Sequence, residues 1–155
     1  MTQINLNVDS ETVVPLKRSC GTCNQCCKTM SVPGTKPDHA WCPHARPGNG
    51  CAIYASRPQP CRDFLCNWLI DPKIPDYWFP AKSKIVINTR IHDDKMIVNF
   101  VVDPAYPNRW REEPWFSDIK KIAKAGLSKP ASCETPIRGW TTVIAIKDDV
   151  FPIVP

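Results

Sequence analysis

Ser83-Lys84-Ile85-Val86-Ile87-Asn88-Thr89-Arg90-Ile91 leads through His92-Asp93-Asp94-Lys95 into Met96-Ile97-Val98-Asn99-Phe100-Val101-Val102. The first run is rich in β-branched residues, which suit a pleated, half-buried surface. Its side chains alternate. Ile85, Ile87, Thr89 and Ile91 fall on one face, and Val86, Asn88 and Arg90 on the other. The polar residues 92–95 are turn formers, and the second run is again strand-like. The stretch predicts a β-hairpin.

Toward the C-terminus, Pro114 suits the opening of a helix, with Glu112 and Glu113 placed for its dipole. Trp115, Ile119, Ile122 and Ala123 recur at helical spacing, and Gly126 is a stop signal. Residues 141–147 and 150–154 predict a second hairpin around Asp148-Asp149.

Toward the N-terminus, residues 71–80 are a connector broken by prolines. Residues 60–70 predict a short helix, with Pro60 in its first turn and Pro72 just beyond its end. Phe64, Leu65, Trp68 and Leu69 form its apolar stripe. Residues 31–50 hold four Pro and three Gly and read as loop. Residues 1–18 read as a polar tail or edge segment. The expected class is α+β. A loop-rich, metal-stapled cysteine module with a short helix, residues 19–70, packs on a small module of two β-hairpins and one helix, residues 71–155. The two meet at 71–80, either as a boundary or as a packed interface within one domain.

Eight of the nine cysteines fall within residues 20–66. Cys20, Cys23, Cys26 and Cys27 spell C-x-x-C-x-x-C-C, and Cys42, Cys51, Cys61 and Cys66 follow. A two-residue spacer lets two thiolates turn back onto one ion and frees backbone N–H groups to stabilise sulfur charge. Single buried cysteines are ordinary small hydrophobes, but eight so clustered are not explained that way. A disulfide framework fits poorly with an odd count. The N-terminal residues also show neither a basic nor an apolar signal region, so a cytoplasmic, reducing location is expected. Thiolate ligands then suit either zinc or an iron–sulfur cluster. Four-thiolate sites are most often zinc, whereas C-x-x-C-x-x-C and the Cys42-Pro43 pair resemble cluster-binding runs. Side chains of the adjacent Cys26 and Cys27 diverge, so they feed two sites or one of them has another role. Cys61 and Cys66 are five apart, which is not one helical face. Cys133 stands alone and is expected not to be a ligand; His39 and His44 are expected to be solvated loop residues.

The formal net charge of +5 is read with that site in mind. Eight thiolates holding two divalent ions contribute about −4, which leaves roughly +1. Nucleic-acid binding is therefore not expected. No apolar run approaches a membrane span.

The string from Cys20 to Cys66 resembles the cysteine-cluster family named for its CxxCxxCC motif, also called the YkgJ-type family. The matching parts are Cys20-Gly21-Thr22-Cys23-Asn24-Gln25-Cys26-Cys27, then Cys42, Cys51-Ala52-Ile53-Tyr54, Arg57-Pro58 and Cys61-Arg62-Asp63-Phe64-Leu65-Cys66. They cover roughly a third of the chain. The resemblance implies a domain that chelates zinc or iron. Beside it, Arg62 is expected to neutralise the cluster or to form a surface ion pair. Tyr54 and Arg57-Pro58 are expected to shape the turn between ligands. Some relatives of the family join the motif to methyl transfer, but no Gly-rich loop follows a strand here.

Three functions fit these residues. One is a structural metal site supporting a module that docks a protein partner. Another is iron–sulfur redox or electron transfer. The third is storage or delivery of metal. No hydrolase motif is present, and an all-thiolate site leaves no open position for water.

Overall fold

A computed structural model describes residues 18–127 and 136–153. Residues 1–17 of the tail or edge segment expected at 1–18, Cys133 and Val154 lie outside the described residues. The class is α+β: the described residues form a four-stranded sheet with five short α-helices and long irregular stretches.

Both predicted hairpins form. Strand β1 (Ile85–His92) pairs antiparallel with β2 (Lys95–Val102), and β3 (Gly139–Ile146) with β4 (Asp149–Ile153). Each turn places one residue in the left-handed region, Asp93 at φ 56° and Lys147 at φ 54°. The hairpins then join in parallel through β2 and β3, from Lys95↔Gly139 to Val102↔Ile146, giving the order β1-β2-β3-β4. Parallel neighbours need a crossover. Here it contains the longest helix, Trp115–Ala125, which lies against β3 and buries Trp115, Ile119 and Ala123.

The core gathers Ile85, Ile87, Val98, Phe100, Val102, Ile119 and Ile144 from sheet and helix, with Trp68, Trp78, Trp110 and Trp115 around them. Burying a side chain such as Ile87 or Phe100 stabilises the fold by about 1.5–3 kcal/mol. Strand β1 is unusual in being buried on both faces from Ile85 to Thr89. Ile85 and Ile87 belong to the core, whereas Val86 and Arg90 face the cysteine region.

That region is held by three short helices, α1 (Gln25–Thr29), α2 (Gln59–Asp63) and α3 (Asn67–Ile70). The single helix expected over residues 60–70 is broken. Phe64 (φ −82°, ψ 120°) and Cys66 (φ −68°, ψ 155°) are extended, so α2 stops at Asp63 and α3 starts after Cys66. The break lets Trp68 and Leu69 reach the core, and Asn67 Nδ2 donates to Thr89 Oγ1 of β1 at 2.7 Å. A continuous helix would carry Trp68 and Leu69 on the axis of α2 and away from β1.

Residues 71–80 are packed rather than extended. Trp78 is 1% exposed, and Phe79 lies 4.7 Å from the Trp68 ring. A further short helix, α4 (Pro80–Ser83), leads into β1 and precedes the crossover helix, α5. Arg18 fastens this segment. Its guanidinium donates to the carbonyls of Trp68, Asp71 and Ile74, pairs with Asp76 and lies 4.6 Å from the Trp68 ring centroid. Helix α1 is tied to the sheet by Asp103, which is 1% exposed at the end of β2. Its carboxylate accepts from Gln25 at 2.6 Å, from Lys28 at 2.8 Å and from the Ala105 N–H at 2.9 Å. Among the described residues no helix is long and apolar enough to cross a membrane.

Candidate metal centre

Helix α1, the loops either side of it, α2 and α3 enclose one cavity of about 470 Å³. All eight sequence-predicted cysteines line it: Cys20, Cys23, Cys26, Cys27, Cys42, Cys51, Cys61 and Cys66. None of the eight is in a disulfide.

The backbone explains how they arrive there. Cys23 N–H donates to Cys20 O at 2.8 Å, closing the turn that the two-residue spacer predicts. Asn24 Nδ2 then reaches across to Arg46 O at 2.8 Å. The loop carrying Cys42 is tied to α1 by Cys42 N–H donating to Cys27 O at 2.9 Å. It closes on itself through a bridge between Ala45 and Cys51. Cys61 sits on α2, and Cys66 caps α3.

Several sulfurs accept backbone N–H groups. Cys23 takes one from Gln25 and one from Ala81, Cys42 takes one from His44 at 3.5 Å, and Cys66 takes those of Trp68 and Leu69. Donors so placed favour thiolate over thiol. Burial acts the other way. It pushes Cys20, Cys23 and Cys61 up, and Cys66 up to about 11. Cys26 and Cys27 share a hydrogen bond that holds the proton on Cys26. This bond raises Cys26, with burial adding to it, and lowers Cys27 to about 7. Ionising such a set needs positive charge nearby, which a coordinated cation supplies.

Fixed positive charge is also present. Arg57 lines the cavity and faces Cys20 and Cys61. Its Nε donates to Tyr54 O, and its guanidinium stacks 3.9 Å from the Tyr54 ring centroid. Tyr54 in turn hydrogen-bonds Cys20. Lys36 is buried, donates to Met30 O and Pro37 O, and faces Cys27 and Cys42. Arg62, expected beside the cluster, is exposed and does not line the cavity. The guanidinium that lines the cavity is that of Arg57, which the sequence placed in the turn between the cysteines. His44 lines the cavity, and His39 Nδ1 is buried without a partner.

The donor set fits a thiophilic metal, since it is all sulfur, gathered on one cavity and supplied with N–H donors. The side chains do not converge on a point. Among the described residues, no three His, Cys, Asp or Glu are close enough to hold an ion. The fit is therefore one of donor chemistry and backbone placement.

Comparison with protein-family models, with curated proteins and with solved structures found no match to this chain.

Proposed function

We propose that this chain is a metal-binding cysteine-cluster protein, holding zinc or an iron–sulfur cluster through up to eight thiolates. One observation carries the reading: eight cysteines drawn from five separate stretches of chain line a single cavity. Chance burial of small hydrophobes does not gather thiols from a turn, a helix, a loop and two further helices. The resemblance of residues 20–66 to the CxxCxxCC family supports the same conclusion.

When bound, the metal would supply either a cross-link between the loops or an electron-accepting centre. The chain's own residues supply the rest. Amide N–H groups of Gln25, His44 and Trp68 stabilise sulfur charge. Arg57 and Lys36 offset the excess negative charge of eight thiolates. Tyr54 holds Cys20 by a hydrogen bond, and Arg57 braces Tyr54. Such a site belongs in a reducing compartment, so we place the protein in the cytoplasm.

Elemental analysis with an absorption spectrum, on protein purified without air, tests the proposal. Iron with acid-labile sulfide and visible absorption makes redox or electron transfer the working function. Tightly held zinc and a colourless solution make the site structural, and rapidly exchanging metal makes it a storage or delivery site. Protein that holds no metal, with all eight thiols free to react, ends the proposal.

A further inference from the structure

We propose that the cavity also binds a small organic acid, one carboxylate on an apolar body, with the carboxylate held by the guanidiniums of Arg57 and Arg90. This goes beyond the metal-binding reading and does not rest on it. It uses the wall and the mouth of the cavity and takes no thiol as a ligand.

Size comes first. A volume of about 470 Å³ falls within the range of small-molecule sites, roughly 300–1,000 Å³. The eight cysteines stand around this space and not at one point. Among the described residues no three of them are close enough to hold one ion. The room between them is therefore wider than an ion needs.

Much of the wall is apolar. Besides the thiols, Met30, Val32, Phe64, Leu69, Phe79 and Val86 line it. Contact with such a wall takes hydrocarbon out of water, which favours binding.

The fixed charge has one sign. No Asp or Glu lines the cavity, whereas Arg57 and Arg90 both do. Among the described residues neither guanidinium pairs with a carboxylate. Arg57 donates its Nε to Tyr54 O, which leaves its two terminal nitrogens for another acceptor. A guanidinium holds a carboxylate by two parallel N–H bonds, stronger than neutral ones. A cation of the same shape would meet like charge instead.

Strand β1 sets the orientation. Val86 and Arg90 are four residues apart, so they share a face of the strand, and both line the cavity. Val86 is 1% exposed, and Arg90 is exposed. The face therefore runs from the buried end of the cavity to its mouth, over about 13 Å at roughly 3.3 Å per residue. Tyr54, 48% exposed and stacked on Arg57, marks the mouth as well. Charge at the mouth and hydrocarbon at the buried end fit an acid whose apolar body points inward. Extended decanoate spans about that distance.

Isothermal titration of the protein as purified tests the proposal, with decanoate below its micellar concentration as the probe. Acetate carries the charge without the apolar body, and decyltrimethylammonium the body with the opposite charge. We expect one saturable decanoate site per chain and affinities at least about tenfold lower for the other two. Arg90→Gln should weaken decanoate binding about tenfold. Amide shifts on adding decanoate should concentrate at Phe64, Val86 and Arg90 and spare Val150 on β4. That mapping needs no variant, so it decides the matter if Arg90→Gln does not fold. Absent binding, equal binding of the cation, unchanged affinity in Arg90→Gln, or shifts spread over the whole sheet overturn the proposal. Metal content of the same samples judges the other reading separately. A chain that holds decanoate but no metal keeps this proposal and ends that one, and a chain that holds metal but no decanoate does the reverse.

Discussion

Gly50 crosses Gly21 so closely that a Cβ on Gly50 would lie 2.7 Å from the Gly21 carbonyl oxygen. Gly21 lies between Cys20 and Cys23, and Gly50 immediately precedes Cys51. The crossing therefore sets the distance between two ligand-bearing loops. Gly50 also has φ +77°, a conformation that costs an L-residue about 1–2 kcal/mol. We expect Gly50→Ala to lower stability by about 2–4 kcal/mol through clash and strain together. Gly48 shares the φ of +77° but has open space around its missing Cβ. Gly48→Ala should cost only the strain. Urea unfolding of the two variants side by side measures the difference, and equal midpoints would remove the crossing as a constraint.

Asp103 predicts a pH dependence. Burial raises its pKa, but hydrogen bonds from Lys28, the Ala105 N–H and Gln25 outweigh burial and hold the carboxyl below its ordinary value. The unfolded chain titrates near the ordinary Asp value of about 3.9. A lowered folded pKa stabilises the native state fully above that value and loses the contribution as pH falls through the folded pKa. Asp103→Asn should be less stable than the parent at pH 7, by about 1.5–3 kcal/mol for lost charge-assisted hydrogen bonds. The gap should narrow below about pH 4. Unfolding midpoints of both proteins from pH 7 to pH 3 check the sign.

Arg18 closes the segment that carries α3 by donating to three carbonyls and lying over Trp68. Arg18→Ala should destabilise the protein by about 2–4 kcal/mol. Arg18→Lys should recover little of this, because an ammonium lacks the planar fork that spans several acceptors. Thermal unfolding of both variants gives the comparison. Full rescue by lysine would mean that charge alone matters there.

Cys23→Ser should lose bound metal and melt at lower temperature in the same preparation, since metal affinity and folding are linked. Cys133→Ser should change neither. Metal content and melting temperature measured together separate the two. Full metal and unchanged melting in Cys23→Ser would strike Cys23 from the ligand set.

Both hairpins and α5 were legible because alternation and helical periodicity report local geometry directly. The parallel joining of β2 to β3 was not, since pairing between distant strands leaves no local pattern. The spacing of the cysteines pointed to their gathering, and all eight line one cavity. Their neighbours gave no such signal. Arg57 and Arg62 look alike in sequence, and only the turn over Tyr54 carries the first inward. Lys36, which no sequence pattern singles out, is buried and donates to Met30 O. The break in the 60–70 helix was also hidden. Phe64 and Leu65 fit a helical stripe, and what favours extending them is tertiary: α3 must reach β1.

Strand β1 stands between the hydrophobic core and the cysteine cavity, with side chains committed to both. Neither half can then open alone without stripping one face of that strand. Chelation should therefore be felt in the sheet, as faster amide hydrogen exchange at Val86 and Asn88 and not only in the loops. A chain severed within residues 71–80 should yield two fragments that protect their amides together and neither one apart.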